Sequence, residues 1–313
     1  MTALRNLLLA LATFAPVAGF AATLPTGAEF SDSVASGKAN LETFDFAGAG
    51  FWRLPPGERI QWLQPALMDS QIAFNPGIDS CAPEMQRRGI SMIWISVLLQ
   101  AADEAEWTRN AGALRTRIAK LDAELAAAKP MGESSDPRVA ELLARFGRDQ
   151  AVRGMSQEKW AEGLPPIAAK IWGLAFISRW QAIDCANTAW LKTQLAEIGW
   201  FSIPKFGAEA DTAAWHLVQH ADREPDFQRR MLKELEALPQ GHTDAKRIGY
   251  LWDRVALADK RPQRYGTQGQ CIEGVWKPMD VEDPEHLDER RKALGMEPIA
   301  EHALLNTRTG CSK

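Results

Sequence analysis

The sequence has no excess of basic side chains, and this absence limits the partners that it predicts. Its 313 residues include 36 Lys and Arg against 40 Asp and Glu, which gives a formal net charge of −4. Binding to the phosphate backbone of a nucleic acid needs clustered cationic side chains. We therefore expect no nucleic-acid partner.

The familiar catalytic and cofactor motifs are also missing. There is no GxSxG nucleophile elbow, no HExxH zinc motif and no glycine-rich phosphate loop or dinucleotide signature. His216 and His220 have the i, i+4 spacing of zinc ligands on a helix, but Leu217 stands where a metalloprotease has its glutamate base. We expect no metal and no cofactor, and we find little support for a nucleophilic mechanism.

No apolar run in the sequence has the length of a membrane span. The longest candidate, residues 7–17, is too short to cross a bilayer comfortably. It follows the positively charged Arg5 and precedes small residues near Ala22, which is the pattern of a secretory signal. We therefore predict that residues 1–21 are a signal peptide and that the mature protein is periplasmic or secreted, without a membrane span.

Cysteine is scarce and widely spaced. The four cysteines form no CxxC pair of the kind used in metal clamps or redox sites. An even number of cysteines in an oxidising compartment favours two disulfides, for which three pairings exist. We favour Cys271–Cys311 and Cys81–Cys185, because each pair closes one half of the chain.

The spacing of apolar residues is helical over most of the chain, so we predict a mostly α protein. An N-terminal helical region is expected over residues 22–130, beginning with an extended lead-in over residues 22–50. An irregular multi-helix domain is expected over residues 136–313, with a small extended or β-hairpin insertion near residues 265–280. The boundary falls in residues 129–135, where Pro, Gly and Ser break all periodicity.

Local signals predict several helix ends. Pro65 is expected to interrupt a short helix that opens at residues 55–56. The central helix is expected to begin at Asp211 or Thr212, and Thr243 is expected to cap a later helix.

Residues 104–129 are predicted to form a helix, because their apolar residues alternate at spacings of four and three. Such a seam is typical of a coiled-coil contact, which would allow self-association through this helix. It is equally typical of a helix packed on its neighbour in the same chain, here residues 82–101. We favour packing within the chain because the run is short.

Two of the predicted helices place polar side chains where their apolar face continues. The first helix after residue 136 ends in Asp149, Gln150 and Arg153, and the next long helix has Asp184 and Asn187 among large apolar residues. Such side chains are costly to bury unless they are paired or used. The pattern therefore predicts a buried polar site.

Two short segments farther along the chain, residues 219–222 and 263–268, are dense in chemically useful side chains. We group them with the polar helix residues into one site. Catalytic roles are predicted for His220, Asp222 and Tyr265. Ligand-binding roles are predicted for Asp149, Gln150, Arg153, Asp184, Asn187, Gln219, Asp253, Arg254, Gln263, Thr267 and Gln268.

His220 is the predicted general base because imidazole titrates near neutrality. An aspartate would orient its ring, with Asp222, Asp149 and Asp184 as the candidates. Tyr265 would donate a hydrogen bond to a developing negative charge. Each residue also has a structural interpretation, such as a core histidine bonded to a carbonyl or an aspartate that caps a helix.

The same segments resemble a bacterial family known as domain of unknown function 6624. The resemblance rests on AWxLVQHADxxPxFQ at residues 214–228, YLxDRV at residues 250–255 and RPQRYGTQ at residues 261–268, with further matches over residues 283–301. It covers residues 140–305. The family implies no activity, so the resemblance supports the domain assignment and the grouping of the polar residues.

We predict from these observations a pocket built around residues 219–222 and 265–268 that takes a small polar ligand. The function would be that of a hydrolase or lyase with His220 as its base. The alternatives are a non-catalytic module that binds the ligand without turnover and a structural or interaction module of the cell envelope. An enzyme requires that His220 is reachable from solvent.

Overall fold

The computed structural model describes residues 24–74 and 81–311, and it is mostly α-helical, as the sequence predicts. The predicted signal peptide lies outside the described residues. The elements follow the chain as α1 (Gly27–Ala35), α2 (Pro56–Gln71), α3 (Pro83–Gln100), α4 (Glu104–Ala126), α5 (Pro137–Arg153), α6 (Gln157–Ala161), α7 (Pro166–Ile198), α8 (Ile203–Phe206), α9 (Ala208–Gln219), α10 (Pro225–Glu236), α11 (Ala245–Ala258), β1 (Gly269–Ile272), β2 (Val275–Pro278), α12 (Leu287–Ala293) and α13 (Ile299–Gly310).

The first helix corrects the prediction of an extended lead-in. The Thr26 hydroxyl accepts a hydrogen bond from the Glu29 amide, and the Glu29 carboxylate accepts one from the Thr26 amide. This reciprocal capping box starts α1, which buries Phe30 and Val34 in the core. The TxxE spacing is visible in the sequence and is the signal that would have revealed this helix.

Three predicted helix ends are also wrong. Pro65 lies inside α2, where burial of the surrounding apolar face offsets the free-energy cost of the backbone hydrogen bond that proline cannot form. Helix α9 begins at Ala208, and Asp211 is a buried residue of its first turn. The cap of α11 is Asp244, which accepts from the Lys246 amide at 3.0 Å, whereas the Thr243 hydroxyl has no hydrogen-bond partner among the described residues.

The apolar seam of α4 is buried inside the chain. Its members are Trp107, Ala111, Leu114, Ile118, Leu121 and Leu125, each at most 6% exposed. The helix packs on both α3 and α7. The seam is therefore filled by the protein's own helices, as the favoured alternative predicted.

Helix α7 takes part in both apolar cores. The first core contains the apolar faces of α1 to α4, together with Val152 and the first half of α7. The second contains the rest of the α5 face, the end of α7 and helices α9 to α11. The long helix thus extends from the N-terminal region into the second core, where α5, α7 and α9 pack on one another.

Two disulfides match the favoured pairing. Cys81–Cys185 joins the segment before α3 to α7, and Cys271–Cys311 joins β1 to the residue after α13. Strands β1 and β2 form an antiparallel hairpin, which confirms the predicted insertion. Within the described ranges, no helix is both long and apolar enough to cross a membrane.

Candidate functional site

The site begins with an aspartate–histidine pair between α5 and α9. Asp149 continues the apolar face of α5 and is fully buried. His220 follows the last residue of α9, where its amide donates to the His216 carbonyl. The His220 Nδ1 lies 3.0 Å from both carboxylate oxygens of Asp149. Of the three candidate aspartates, it is therefore Asp149 that contacts the ring.

The surroundings of Asp149 keep it ionised. Burial favours its neutral form, but the hydrogen bond and charge of His220, the charge of Arg153 and a hydrogen bond from Gln150 outweigh burial and lower its pKa. The Gln150 amide donates to Oδ2 at 2.8 Å and the Arg153 Nε donates to Oδ1 at 3.2 Å. Three donors thus converge on one buried carboxylate.

The charge of Asp149 fixes the tautomer of His220. Because both oxygens are acceptors, we assign the ring proton to Nδ1, which donates to Asp149. The Arg153 Nε–H is directed at Nδ1, at 2.9 Å, as well as at Asp149 Oδ1, at 3.2 Å, so the arginine competes with the ring proton and the assignment rests on the charge of Asp149. The lone pair of neutral His220 is then on Nε2. This atom has no hydrogen-bond partner among the described residues, and 17% of the His220 side chain is exposed.

A second carboxylate, Asp184 on α7, shares the same arginine. The Arg153 Nη2 donates to Asp184 Oδ1 at 2.8 Å, and its guanidinium lies 4.8 Å from the centre of the Trp180 ring. Burial, assisted by the negative charges of Asp149 and Asp222, raises the pKa of Asp184 to about 7 against the opposing effect of Arg153. One cation serves a buried and a half-buried carboxylate, so only one of them remains firmly ionised near neutrality.

Asp222 contacts other residues. Both of its oxygens accept from Arg254 Nη1, at 2.6 and 2.8 Å. The Gln228 amide also donates to Asp222 and to the carbonyls of Val218 and Gln219, which fastens the end of α9 to α10. Asp149, and not Asp222, is therefore the aspartate that contacts His220, and Asp222 forms an ion pair with Arg254.

Arg223 is a functional candidate that the sequence interpretation missed. Within the described ranges it forms no ion pair or hydrogen bond, and the carboxylates of Asp184 and Asp222 influence it only through their charge. Partial burial lowers its pKa. The only sequence signal was a cationic residue between Asp222 and Pro225, in the turn after α9.

The residues around Tyr265 form a second network, which folds their own loop. Asp253 of α11 is fully buried. It accepts from the amides of Arg264, Tyr265 and Thr267 and from the Thr267 hydroxyl, all within 2.9 Å. Burial raises its pKa, although these four donors oppose the rise. Asp253 thus fixes the loop after α11.

Gln263 completes this second network. It is fully buried, accepts from the Gln268 amide at 2.7 Å and donates to the Gln268 carbonyl at 2.9 Å. The Gln268 amide side chain donates to Thr267. These side chains hold one another, which is the structural interpretation of the segment at residues 263–268.

Tyr265 lies at an open depression that it shares with charged residues. Its ring meets Trp252 edge to face at 6.3 Å, and burial raises the pKa of its hydroxyl. The depression has a volume of about 530 Å³, and its lining includes Arg264, Glu282 and Arg290. His220 and Asp149 do not line it.

The predicted single site is therefore divided between two networks. Among the residues that the structure describes, no hydrogen bond, ion pair or ring contact joins the Asp149–His220 group to the Tyr265 loop. Two adjacent residues of α11 contact different networks. Asp253 accepts hydrogen bonds from the Tyr265 loop, whereas Arg254 pairs with Asp222. Asn187 lies beside the first network, where it contacts Arg145.

His216 packs in the core. Its Nδ1 donates to the Thr212 carbonyl at 2.8 Å, its ring centre lies 4.7 Å from that of Phe146, and burial lowers its pKa. Its ring centre is 6.0 Å from that of His220. In the described part of the chain, no three His, Cys, Asp or Glu side chains are grouped as metal ligands.

Fold and site together define a mostly helical protein with a partly buried Asp–Arg–Asp–His network at the junction of three helices. A family model matches residues 137–311, more than half of the chain, and the chain belongs to that family, the family of unknown function DUF6624. The match contains both polar networks. No curated protein and no solved structure shows significant similarity to the chain.

Proposed function

We propose that the protein is an exported enzyme, a hydrolase or lyase that acts on a small polar substrate with His220 as its general base. The proposal rests on the different surroundings of the two ring nitrogens of His220. Nδ1 is held by a buried carboxylate, while Nε2 has no partner among the described residues and the side chain keeps access to solvent. A carboxylate that fixes the tautomer leaves the other nitrogen ready to accept a proton.

Asp184 is the second group that exchanges a proton in the proposed mechanism. Its pKa of about 7 differs from that of Asp149, which is lowered, although both contact Arg153. Carboxylates whose environments separate their pKa values are typical of acid–base sites. In this proposal Asp184 is the proton donor and His220 the acceptor.

The substrate we propose is anionic. Arg153 is occupied by two carboxylates, but Arg223 is exposed and forms no ion pair with the described residues. A guanidinium at the rim of the site is suited to a carboxylate or phosphate group. The proposal rests on the first network, since Tyr265 and Gln268 contact their own loop.

Export is part of the proposal. Two disulfides are typical of an oxidising compartment and support a periplasmic or secreted location. Self-association through residues 104–129 stays a prediction, and it would have to use the outer face of α4 because the apolar seam is buried.

A binding module without turnover is the second candidate. A cavity of about 410 Å³ beside α7 is lined by Asn187 and Arg223 but not by His220. A ligand held there would leave the imidazole unused, which favours binding over catalysis for that cavity.

Turnover by a His220→Asn variant tests the enzyme proposal. Asparagine retains a donor close to the position of Nδ1 and removes Nε2, so contact with Asp149 is kept while the base is lost. The purified protein is assayed against anionic esters, amides, phosphoesters and glycosides. We expect the variant to lose roughly 10²- to 10⁴-fold in turnover.

His286→Asn is the matched control, because His286 is exposed and, among the described residues, its imidazole pairs with Asp283. It should leave turnover unchanged. Full turnover by His220→Asn would refute the role of His220. Absence of turnover by the wild type, with a large stability loss in His220→Ala, would instead assign the network a structural role.

A further inference from the structure

The cavity beside α7 has the features of a ligand site of its own. It is built from α3, α4, the end of α5 and the middle of α7, and has a volume of about 410 Å³. This volume falls in the range of small-molecule sites, roughly 300–1,000 Å³. The Cys81–Cys185 disulfide ties the start of α3 to α7 and so holds two of its walls together.

Most of the wall is apolar. Ile90 of α3, Leu125 of α4 and Ile177 of α7 are among its side chains. Leu174 and Ile177 are 37% and 40% exposed, although they belong to a helix whose other large apolar residues are mainly buried. Apolar surface of this kind, inside a concavity, is suited to an alkyl or similar apolar group.

The rest of the wall has an excess of positive charge. Arg145, Arg148, Arg179 and Arg223 line the cavity, with Asp122 as the one acidic residue of the lining. Arg145 and Arg148 share the carboxylate of Glu141, and Arg179 pairs with Asp122. Four guanidiniums therefore face two carboxylates, and burial lowers the pKa of Arg145.

Arg223 is the cation of this wall that has no carboxylate bound to it. It forms no ion pair or hydrogen bond with the described residues, and Asp184 and Asp222 act on it only through their charge. A guanidinium in this state is suited to an anionic headgroup.

We propose that this cavity binds a single-chain amphiphile with an anionic headgroup. The chain lies along the wall formed by Ile90, Leu125 and Ile177. The headgroup is neutralised by Arg223 and Arg145. The cavity shares Arg223 with the proposed substrate site but is not lined by His220, and its ligand is not required to be the substrate.

Gly89 offers a way to block the cavity without removing a charge. It lines the cavity on α3, and a Cβ added there meets no atom within 4 Å. Gly89→Leu therefore places a side chain in the open space and also favours the helix. Gly112→Leu is the matched control, because it is likewise a helical glycine with open space at Cβ, but on α4 outside the cavity lining.

Calorimetric titration of the full mature protein with dodecanoate, dodecyl phosphate and dodecanol tests the proposal. We expect an anionic probe to bind at least tenfold more tightly than dodecanol, and the preference to weaken at high salt. Gly89→Leu and Arg223→Gln should each weaken binding about tenfold or more, and Gly112→Leu should leave it unchanged. The two anionic probes distinguish a carboxylate from a phosphate headgroup, and preference for either supports the site.

Equal affinity for dodecanol would refute the anionic headgroup. Unchanged binding by Gly89→Leu, with the fold verified by its unfolding midpoint, would refute the location. Absence of binding by all three probes at millimolar concentration would refute the proposal as a whole. None of these results depends on turnover, so they are separate from the test of His220.

Discussion

Replacement of Asp184 by asparagine should stabilise the protein above neutral pH. Asparagine has nearly the shape of protonated aspartate and keeps an oxygen that accepts from Arg153. The two carboxylates that contact Arg153 cannot both be neutralised by its single charge, and Asp222 adds a third negative charge nearby. The ionised form of Asp184 is therefore destabilised in the folded protein.

The size of the effect follows from the pKa of Asp184. Folding raises this pKa from 3.8 to about 7. Because the folded pKa is the higher one, the stabilising contribution of protonated Asp184 is fully present below pH 4 and is lost as the pH rises through 7. Each pKa unit corresponds to about 1.4 kcal/mol, so the difference of 7 − 3.8 = 3.2 amounts to about 4 kcal/mol.

Urea unfolding at several values between pH 4 and pH 8.5, with the disulfides intact, measures this contribution. We expect the variant and the wild type to have similar free energies of unfolding near pH 4 and to diverge as the pH rises. Asp222→Asn is the control: it replaces an exposed aspartate and keeps Asp184, so its free energy of unfolding should retain most of the pH dependence of the wild type. A variant less stable than the wild type at pH 8 would show that the Arg153–Asp184 ion pair is stabilising and that Asp184 ionises normally.

The remaining predictions concern the other parts of both networks. His220→Asn should cost less than about 1 kcal/mol in urea unfolding, because Asp149 keeps its other donors; a loss above 3 kcal/mol would contradict this. Asp253→Ala should cost about 3 kcal/mol or more, because three backbone amides lose their acceptor, and a loss below 1 kcal/mol would show that water replaces it. Removal of Cys271–Cys311, which closes a loop with a sequence separation of 40, should cost about 4 kcal/mol; a thermal midpoint unchanged by Cys271→Ser with Cys311→Ser would contradict the chain-entropy argument.

Much of the fold was predictable because it depends on local patterns. Pro137 begins α5, and the heptad of α4 shows which face is buried. The glycines within residues 266–274 indicate the turns of the β-hairpin. The errors came from rules that tertiary packing overrides, such as the proline inside α2. The capping box of α1 was a local signal that the search for periodicity missed.

The site was predictable only as a set of residues that interrupt apolar faces. Such interruptions indicate burial of polar groups, but they do not indicate which groups meet. Asp149 contacts His220 because α5 packs on α9, and Asp253 contacts the loop after α11, although Asp222 and Asp184 were equally plausible partners of His220 in sequence. Pairing across such separations depends on how helices pack, which the sequence pattern does not contain.

The position of Arg153 explains why two similar aspartates differ in charge. Asp149 receives donors from three side chains, whereas among the described residues Arg153 alone donates to the Asp184 carboxylate. The three donors stabilise the negative charge of Asp149, so the proton near neutrality belongs to Asp184. A purely structural network has no need for this division, because a single ion pair would fasten α5 to α7. Division of charge and proton between two carboxylates beside an imidazole is typical of acid–base sites, and it supports the function that we propose.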